Sequence, residues 1–154
     1  MIRSPLVFVL TEVAVPPRDG VETLTLNCGR GAPAAVRARL DSLADRLGLS
    51  HMEAYELKVA VGEAVSNAVR HGCGFDSSKR ITVRFRLKPE ALVVEVSDDG
   101  AGFCPGISPD PSEPPDTGGM GVALMRRLVD KVEFEFSSGT TVRLTKNLRP
   151  KPQP

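Results

Sequence analysis

The sequence predicts an α+β fold: a two-layer α/β sandwich whose mixed, mostly antiparallel sheet carries helices on one face. Three observations predict it. Five segments alternate apolar and polar residues with a period of two, so each buries one side and wets the other. Two long stretches and one shorter one repeat apolar residues at helical spacing, and they can cover the single apolar face. The length, 154 residues, is one ordinary domain's worth.

Composition narrows the function classes. Hydrophobic residues are 41% and charged residues 25% of the chain, which is globular and not disordered. No stretch approaches the roughly 20 apolar residues of a membrane span. The chain has no Trp and 1 Tyr, so an aromatic base-stacking surface is not expected. Its 20 basic and 19 acidic residues leave a net charge of +1, whereas nucleic-acid binders carry a basic excess.

The elements follow in chain order. The apolar run at 6–10 is short and Glu12 follows soon after, so 1–20 is expected to be a leader or an extra strand and not a signal peptide. Pro16-Pro17 and Asp19-Gly20 separate it from the body. VETLTLNC then places Leu24, Leu26 and Cys28 on one side, a half-buried strand. Pro33 opens a helix, where a first-turn proline is tolerated. Val36, Leu40, Leu43, Ala44 and Leu47 form its apolar face, and Gly48 stops it. Ser50 with Glu53 three residues on makes a capping box for the next helix, expected to run to about His71 and to end at Gly72.

Ile81, Val83, Phe85 and Leu87 alternate with Thr82, Arg84, Arg86 and Lys88. Leu92, Val94 and Val96 alternate with Val93, Glu95 and Ser97, after a turn at Pro89-Glu90. Arg84, Arg86 and Lys88 read as the wet face of a strand. A third helix is expected over 122–129. Two last strands follow, around Val132, Phe134 and Phe136 and around Val142 and Leu144, with a turn at Ser138-Gly139. Segment 104–117, CPGISPDPSEPPDT, holds five of the 13 prolines and no base; such a Pro-rich loop is expected to be a lid or disordered. The tail, 148–154, is expected to be disordered.

Cys28, Cys73 and Cys104 lack metal-ligand spacing, and an odd number closes no disulfide framework. They are expected to be reduced thiols in a cytoplasmic protein.

Four places could carry chemistry. Glu63, Asn67 and His71 step by four residues, so on a helix they form one slanting stripe. That stripe borders the apolar arc of Leu57, Ala60, Val61, Ala64, Val65, Ala68 and Val69, where an amide or carboxylate needs a polar partner. In VEVSDDGAGF, Asp98 shares its side with the apolar residues Leu92, Val94 and Val96, while Asp99 points to water. A carboxylate there suits the exocyclic amine of a purine, and Gly100 and Gly102 permit close backbone approach. Gly118-Gly119-Met120-Gly121 precedes the third helix, where exposed N–H groups and the helix dipole suit phosphate. Thr140 shares parity with Val142 and Leu144, so its hydroxyl faces inward, toward Asp98 or a base. Taken singly, each is also ordinary helix-edge, turn or loop chemistry.

Their order is more specific. ELKVAVGEAVSNAVRHG, then VEVSDDGAGF, then GGMGVALMRRLVD, then GT on a strand, together resemble the GHKL (Bergerat) nucleotide-binding fold, and within it the anti-sigma-factor serine/threonine kinase branch. The likeness covers about 21–147, a histidine-kinase-like ATPase domain. The resemblance implies ATP and Mg²⁺ as cofactors. It implies that Asn67 is the metal ligand and that Glu63 is the catalytic base toward an acceptor hydroxyl. Asp98 would bind adenine with Thr140 near it, Gly100 and Gly102 would lie beside the nucleotide, and Gly119 and Gly121 would face the phosphates. His71 is read as structural.

The function so implied is a cytoplasmic ATP-dependent serine/threonine kinase and anti-sigma-type regulator. It would phosphorylate a STAS-domain anti-anti-sigma protein in a bacterial partner-switching pathway, bind a sigma factor, and form a homodimer, with no direct nucleic-acid or membrane role. In related kinases the lid often carries a Lys or Arg; here Asp110, Glu113 and Asp116 make it acidic, so a base would have to come from Arg126, Arg127, a second subunit or the partner. That departure motivates an alternative, a nucleotide-gated binding protein that sequesters its partner without phosphoryl transfer. A third reading, a detached histidine-kinase ATPase domain, lacks room for an upstream helical pair bearing a phosphoacceptor His.

Overall fold

The computed structural model describes residues 20–99 and 117–149. The elements run β1 (Val21–Asn27), α1 (Ala32–Leu47), α2 (His51–Asn67), a π-helical turn (Ala68–Gly72), β2 (Arg80–Lys88), β3 (Ala91–Asp98), α3 (Thr117–Leu128), β4 (Lys131–Ser137) and β5 (Gly139–Asn147). The strands form one sheet in the order β1-β2-β3-β5-β4. Among the described strands every pairing is antiparallel, whereas the sequence predicts a mixed sheet. β3 and β4 do run in the same direction, but the β4–β5 hairpin places β5 between them. Their parallel relation therefore never becomes a hydrogen-bonded ladder.

One face of the sheet supplies Leu24, Leu26, Ile81, Val83, Phe85, Leu92, Val94, Val96, Val142 and Leu144 to the core. The helices answer with Val36 and Leu40 from α1, Leu57, Val61 and Val65 from α2, and Val122 and Met125 from α3. Arg84 and Lys88 stay exposed on the far face. That face is drier than simple alternation implies: Val93 is buried, and so is Glu95, which pairs with Arg86 at 3.5 Å and Arg143 at 3.3 Å.

The helix signals act as read. Gly48 caps α1 at φ 66°, a conformation that costs glycine nothing. Ser50 Oγ accepts from the Glu53 N–H at 3.1 Å, and Glu53 Oε2 accepts from the Ser50 N–H at 2.9 Å. This reciprocal cap fixes where α2 begins.

Four expectations are corrected. The α-helical part of α2 ends at Asn67, and the chain continues as a π-turn in which the Cys73 N–H donates to the Ala68 carbonyl at 2.9 Å. His71 lies in this turn, past the end of the α-helix that carries Glu63 and Asn67, and its side chain is exposed. α3 begins at Thr117, so Gly119 and Gly121 lie inside its first turns and not ahead of it. Leu148, assigned to the tail, packs against the core, and its N–H donates to the Glu90 carbonyl at 2.8 Å. Finally, Cys28 and Cys73 are not separate thiols but a disulfide, with Cα atoms 6.3 Å apart. An odd count still permits one pair, and the end of β1 meets the end of the π-turn only in the folded chain. Cys104, Gly100, Gly102, the segment 104–116 and the leader 1–19 lie outside the described residues.

Candidate functional site

α2 carries the first half of the site. Its buried side, Leu57, Ala60, Val61, Ala64 and Val65, locks the helix onto the sheet. That orientation leaves Glu63 half-buried at the margin and puts Asn67, 8% exposed, at the helix end. Asn67 Oδ1 is buried and has no hydrogen-bond partner among the described residues. An orphaned amide oxygen costs about 1–3 kcal/mol, so its persistence needs an explanation.

α3 closes on the same spot. A Cβ placed on Gly121 would lie 2.9 Å from Glu63 Oε2 and 3.6 Å from Asn67 Nδ2. The second turn of α3 therefore packs against the Glu63–Asn67 pair at Gly121, one turn after the unpaired N–H groups that every helix start presents. Glu63 also lines an open groove of about 410 Å³ between α1 and α2, beside Arg37 and Lys58. One carboxylate thus faces the α3 glycines and an exposed channel alike.

β3 carries the second half. Asp98 ends the strand on its core-facing side and is 7% exposed, whereas Asp99 points to solvent. Two glycines make room for it. A Cβ on Gly72 would sit 2.3 Å from Asp98 Cγ, and one on Gly139 would sit 2.1 Å from the Asp98 carbonyl oxygen. Gly139 also holds φ 108°, a conformation L side chains rarely adopt. Thr140, the next residue on β5, is buried at 3% exposure on the same side of the sheet.

The structure thus brings together Glu63, Asn67 and Gly121 in one cluster, and Asp98 and Thr140 in another. The π-turn joins them, since it starts after Asn67 and ends at Gly72. Such turns recur at functional sites because they re-aim the residues around them. Gly119 lies in the same helical turn region of α3. Arg126 and Arg127 are exposed on α3. Sequence reasoning missed Gly72 as a site residue, reading it only as a helix stop. The HG pair after Asn67 was visible, but a glycine needed for a distant carboxylate looks no different from one that ends a helix.

The donor set suits a hard cation that arrives with its own oxygens. Mg²⁺ takes oxygen ligands and is held through few protein groups plus substrate phosphates. The free Asn67 Oδ1 fits that description. Among the described residues, no group of three or more His, Cys, Asp or Glu side chains could hold a metal by itself.

A larger groove, about 530 Å³, lies at the opposite end of α2, beside Glu53, Glu56, Asp130, Lys146 and Arg149. Both of its basic residues are paired: Lys146 Nζ meets Glu56 Oε2 at 3.0 Å, and Arg149 meets Glu53 at 3.6 Å.

Comparison with known proteins bears on this geometry. Residues 30–146 match the family described as histidine kinase-like ATPase domain. A protein named serine-protein kinase RsbW from Bacillus subtilis is 36% identical over 122 residues, covering 73% of this chain and 76% of the relative. A protein of the same name from Listeria innocua is 32% identical over 124 residues, covering 75% and 79%. A solved Mycobacterium tuberculosis structure with RsbU and RsbW domains superposes with a TM-score of 0.63 at 27% identity, over 84% of this chain and 33% of that one. A histidine kinase domain from Erythrobacter litoralis superposes with a TM-score of 0.52 at 20% identity, over 80% of this chain and 62% of that one, a likeness of fold. Among the described residues, no helix is long and apolar enough to cross a membrane.

Proposed function

We propose, from the premise that this chain belongs to the histidine kinase-like ATPase domain family, that it is an ATP-dependent serine/threonine protein kinase. The observation that carries this reading is the unpartnered Asn67 Oδ1, set beside Glu63 and against the start of α3. In this reading Asn67 holds Mg²⁺ together with the triphosphate of ATP. The metal, when bound, neutralises phosphate charge that builds during transfer.

The chain's own residues do the rest. The unpaired N–H groups of the first turn of α3, that of Gly119 among them, cradle the phosphates, and Gly121 keeps the face of the next turn free of a side chain. Asp98 accepts a hydrogen bond from the adenine amine, in a slot kept open by Gly72 and Gly139, with Thr140 beside it. Gly100 and Gly102, directly after Asp98, fit the backbone approach beside the nucleotide. Glu63 takes the proton from a Ser or Thr hydroxyl that approaches through the groove between α1 and α2, within hydrogen-bond reach of the carboxylate. Phosphoryl transfer is mainly positioning and charge stabilisation, and this arrangement supplies both.

The acceptor is proposed to be a STAS-domain anti-anti-sigma protein and the second partner a sigma factor, in a cytoplasmic partner-switching role with the kinase as a homodimer. A phosphate on the antagonist adds roughly −1.5 to −2 charges, which would expel it from a shared interface. The position of Glu63 and the kinase names of the relatives favour catalysis over the sequestering alternative.

The test is incubation with γ-labelled ATP, Mg²⁺ and a cognate STAS protein. Label on a Ser or Thr of that protein is expected. Glu63→Gln should retain MgATP binding and lose transfer by about 10²–10⁴-fold. Tight ATP binding with an unlabelled partner would overturn the kinase reading.

A further inference from the structure

The disulfide lies where it can act on the nucleotide slot. Cys28 directly follows β1 and is fully buried, and Cys73 directly follows the π-turn and is 3% exposed. The bond therefore fastens the end of that turn to the sheet, one residue after Gly72, whose Cα packs against the Asp98 carboxylate. Cys28 Sγ also lies 3.9 Å from the Ala68 carbonyl oxygen and 3.8 Å from that of Val69. These two carbonyls belong to the turn itself, and they now accept from the N–H groups of Cys73 and Phe75, each at 2.9 Å.

Cys28 thus has two sets of partners. As a disulfide it holds Cys73. As a thiol its S–H can donate to the Ala68 or Val69 carbonyl, beside the backbone bonds that close the turn. Two thiols cannot share the volume of one S–S bond, so reduction must part them. Cys28 is the fixed side, because its N–H donates to the Lys79 carbonyl at 3.0 Å next to the β1–β2 ladder. Cys73 is the movable side. It leads into Gly74 at φ 57° and Phe75 at φ 60°, the latter 53% exposed.

We propose that Cys28 and Cys73 form a reversible thiol–disulfide site that sets the affinity of the pocket for MgATP, with the disulfide as the tight-binding state. This inference rests on the reading that Asn67 and Asp98 hold that nucleotide. Oxidation uses a small disulfide such as oxidised glutathione. One cysteine thiolate attacks it and releases the first small thiol; the second cysteine then attacks the mixed disulfide and releases the other. Two electrons pass to the small disulfide, and the two cysteine protons end on the departing thiols. Reduction by a dithiol reverses these steps. In the bonded state Gly72 stays against Asp98. In the reduced state the turn Ala68–Gly72 loses its anchor and the adenine slot loosens. Because disulfides do not normally persist in reducing compartments, the pair responds to oxidation there.

The experiment uses the full chain carrying Cys104→Ser, so that the third cysteine cannot exchange. It is equilibrated with oxidised glutathione or with dithiothreitol, and its state is read by peptide mass mapping. Calorimetry with MgATP is expected to give about tenfold tighter binding for the oxidised form. Linkage then requires saturating MgATP to raise the dithiothreitol needed for half-reduction by a matching factor. Cys73→Ser should bind like the reduced protein in either buffer. Equal affinity in both states, or no Cys28–Cys73 cross-link under oxidised glutathione, overturns the redox inference alone. Absence of MgATP binding in both states overturns the nucleotide reading and this inference with it.

Discussion

The two ends of α2 are built on opposite terms. At its start, polar groups are paired: Ser50 and Glu53 cap each other, Lys146 holds Glu56 and donates to the Leu128 carbonyl at 3.3 Å, and the Asn147 N–H donates to Asp130 Oδ2 at 2.7 Å. At its end, the helix opens into a π-turn, Asn67 keeps a buried oxygen without a partner, and glycines hold back from Asp98. The larger groove lies at the satisfied end and the proposed nucleotide site at the other. The proposed site thus follows unmet hydrogen-bonding capacity and not cavity size. A satisfied charge cluster resists a ligand, since a newcomer must displace partners already in place.

Substitutions at the two ends should separate binding from stability. The largest effect is expected from Asn67→Ala, which should abolish Mg²⁺-dependent ATP binding by calorimetry while leaving the thermal midpoint near wild type or higher, because it removes an orphaned buried oxygen. Affinity retained at the wild-type level would remove Asn67 from metal binding. Next is Asp98→Asn, which loses a charge-assisted hydrogen bond worth about 1.5–3 kcal/mol. Competition between ATP and GTP should then show adenine preference reduced by about tenfold or more; an unchanged preference would place the base elsewhere.

At the satisfied end the expectation reverses. Ser50→Ala should cost about 1 kcal/mol of stability through loss of the cap, measured by denaturant unfolding, with MgATP affinity unchanged. A large loss of affinity instead would show that the two ends are coupled. The smallest effect concerns pH. The Glu53 carboxyl lies below its ordinary value, chiefly because the Ser50 N–H donates to it; desolvation opposes this, and the Ser50 hydroxyl, Arg149 and Lys146 assist. A carboxyl lowered in the folded state contributes stability that is fully present above its unfolded value, near 4.5, and is lost as pH falls through the folded value. Thermal midpoints recorded across that window should fall with acidification, and Glu53→Gln should flatten part of the fall.

Much of this contrast was legible in one dimension. Period-two alternation placed all five strands, and parity alone put Asp98 and Thr140 on the core side and Asp99 in water. The capping box located the start of α2 from two residues. The π-turn was not legible, because AVRHG has ordinary helical composition; the wider turn is seen in the bond from the Cys73 N–H to Ala68. Likewise, nothing near Gly72 in the chain announces that a carboxylate from another strand, 26 positions later, will rest on its Cα.

The sequence by itself determined the alternation of buried and wet positions, the helix caps and the order of the polar motifs, all of which depend on neighbours a few residues apart. Only the tertiary structure decided that the described strands pair antiparallel throughout, that Cys28 meets Cys73, and that Asn67 ends with an oxygen unanswered among the described residues. These outcomes depend on which distant surfaces share one core. Such packing is set by the sum of many weak contacts across the fold, and no local pattern encodes it.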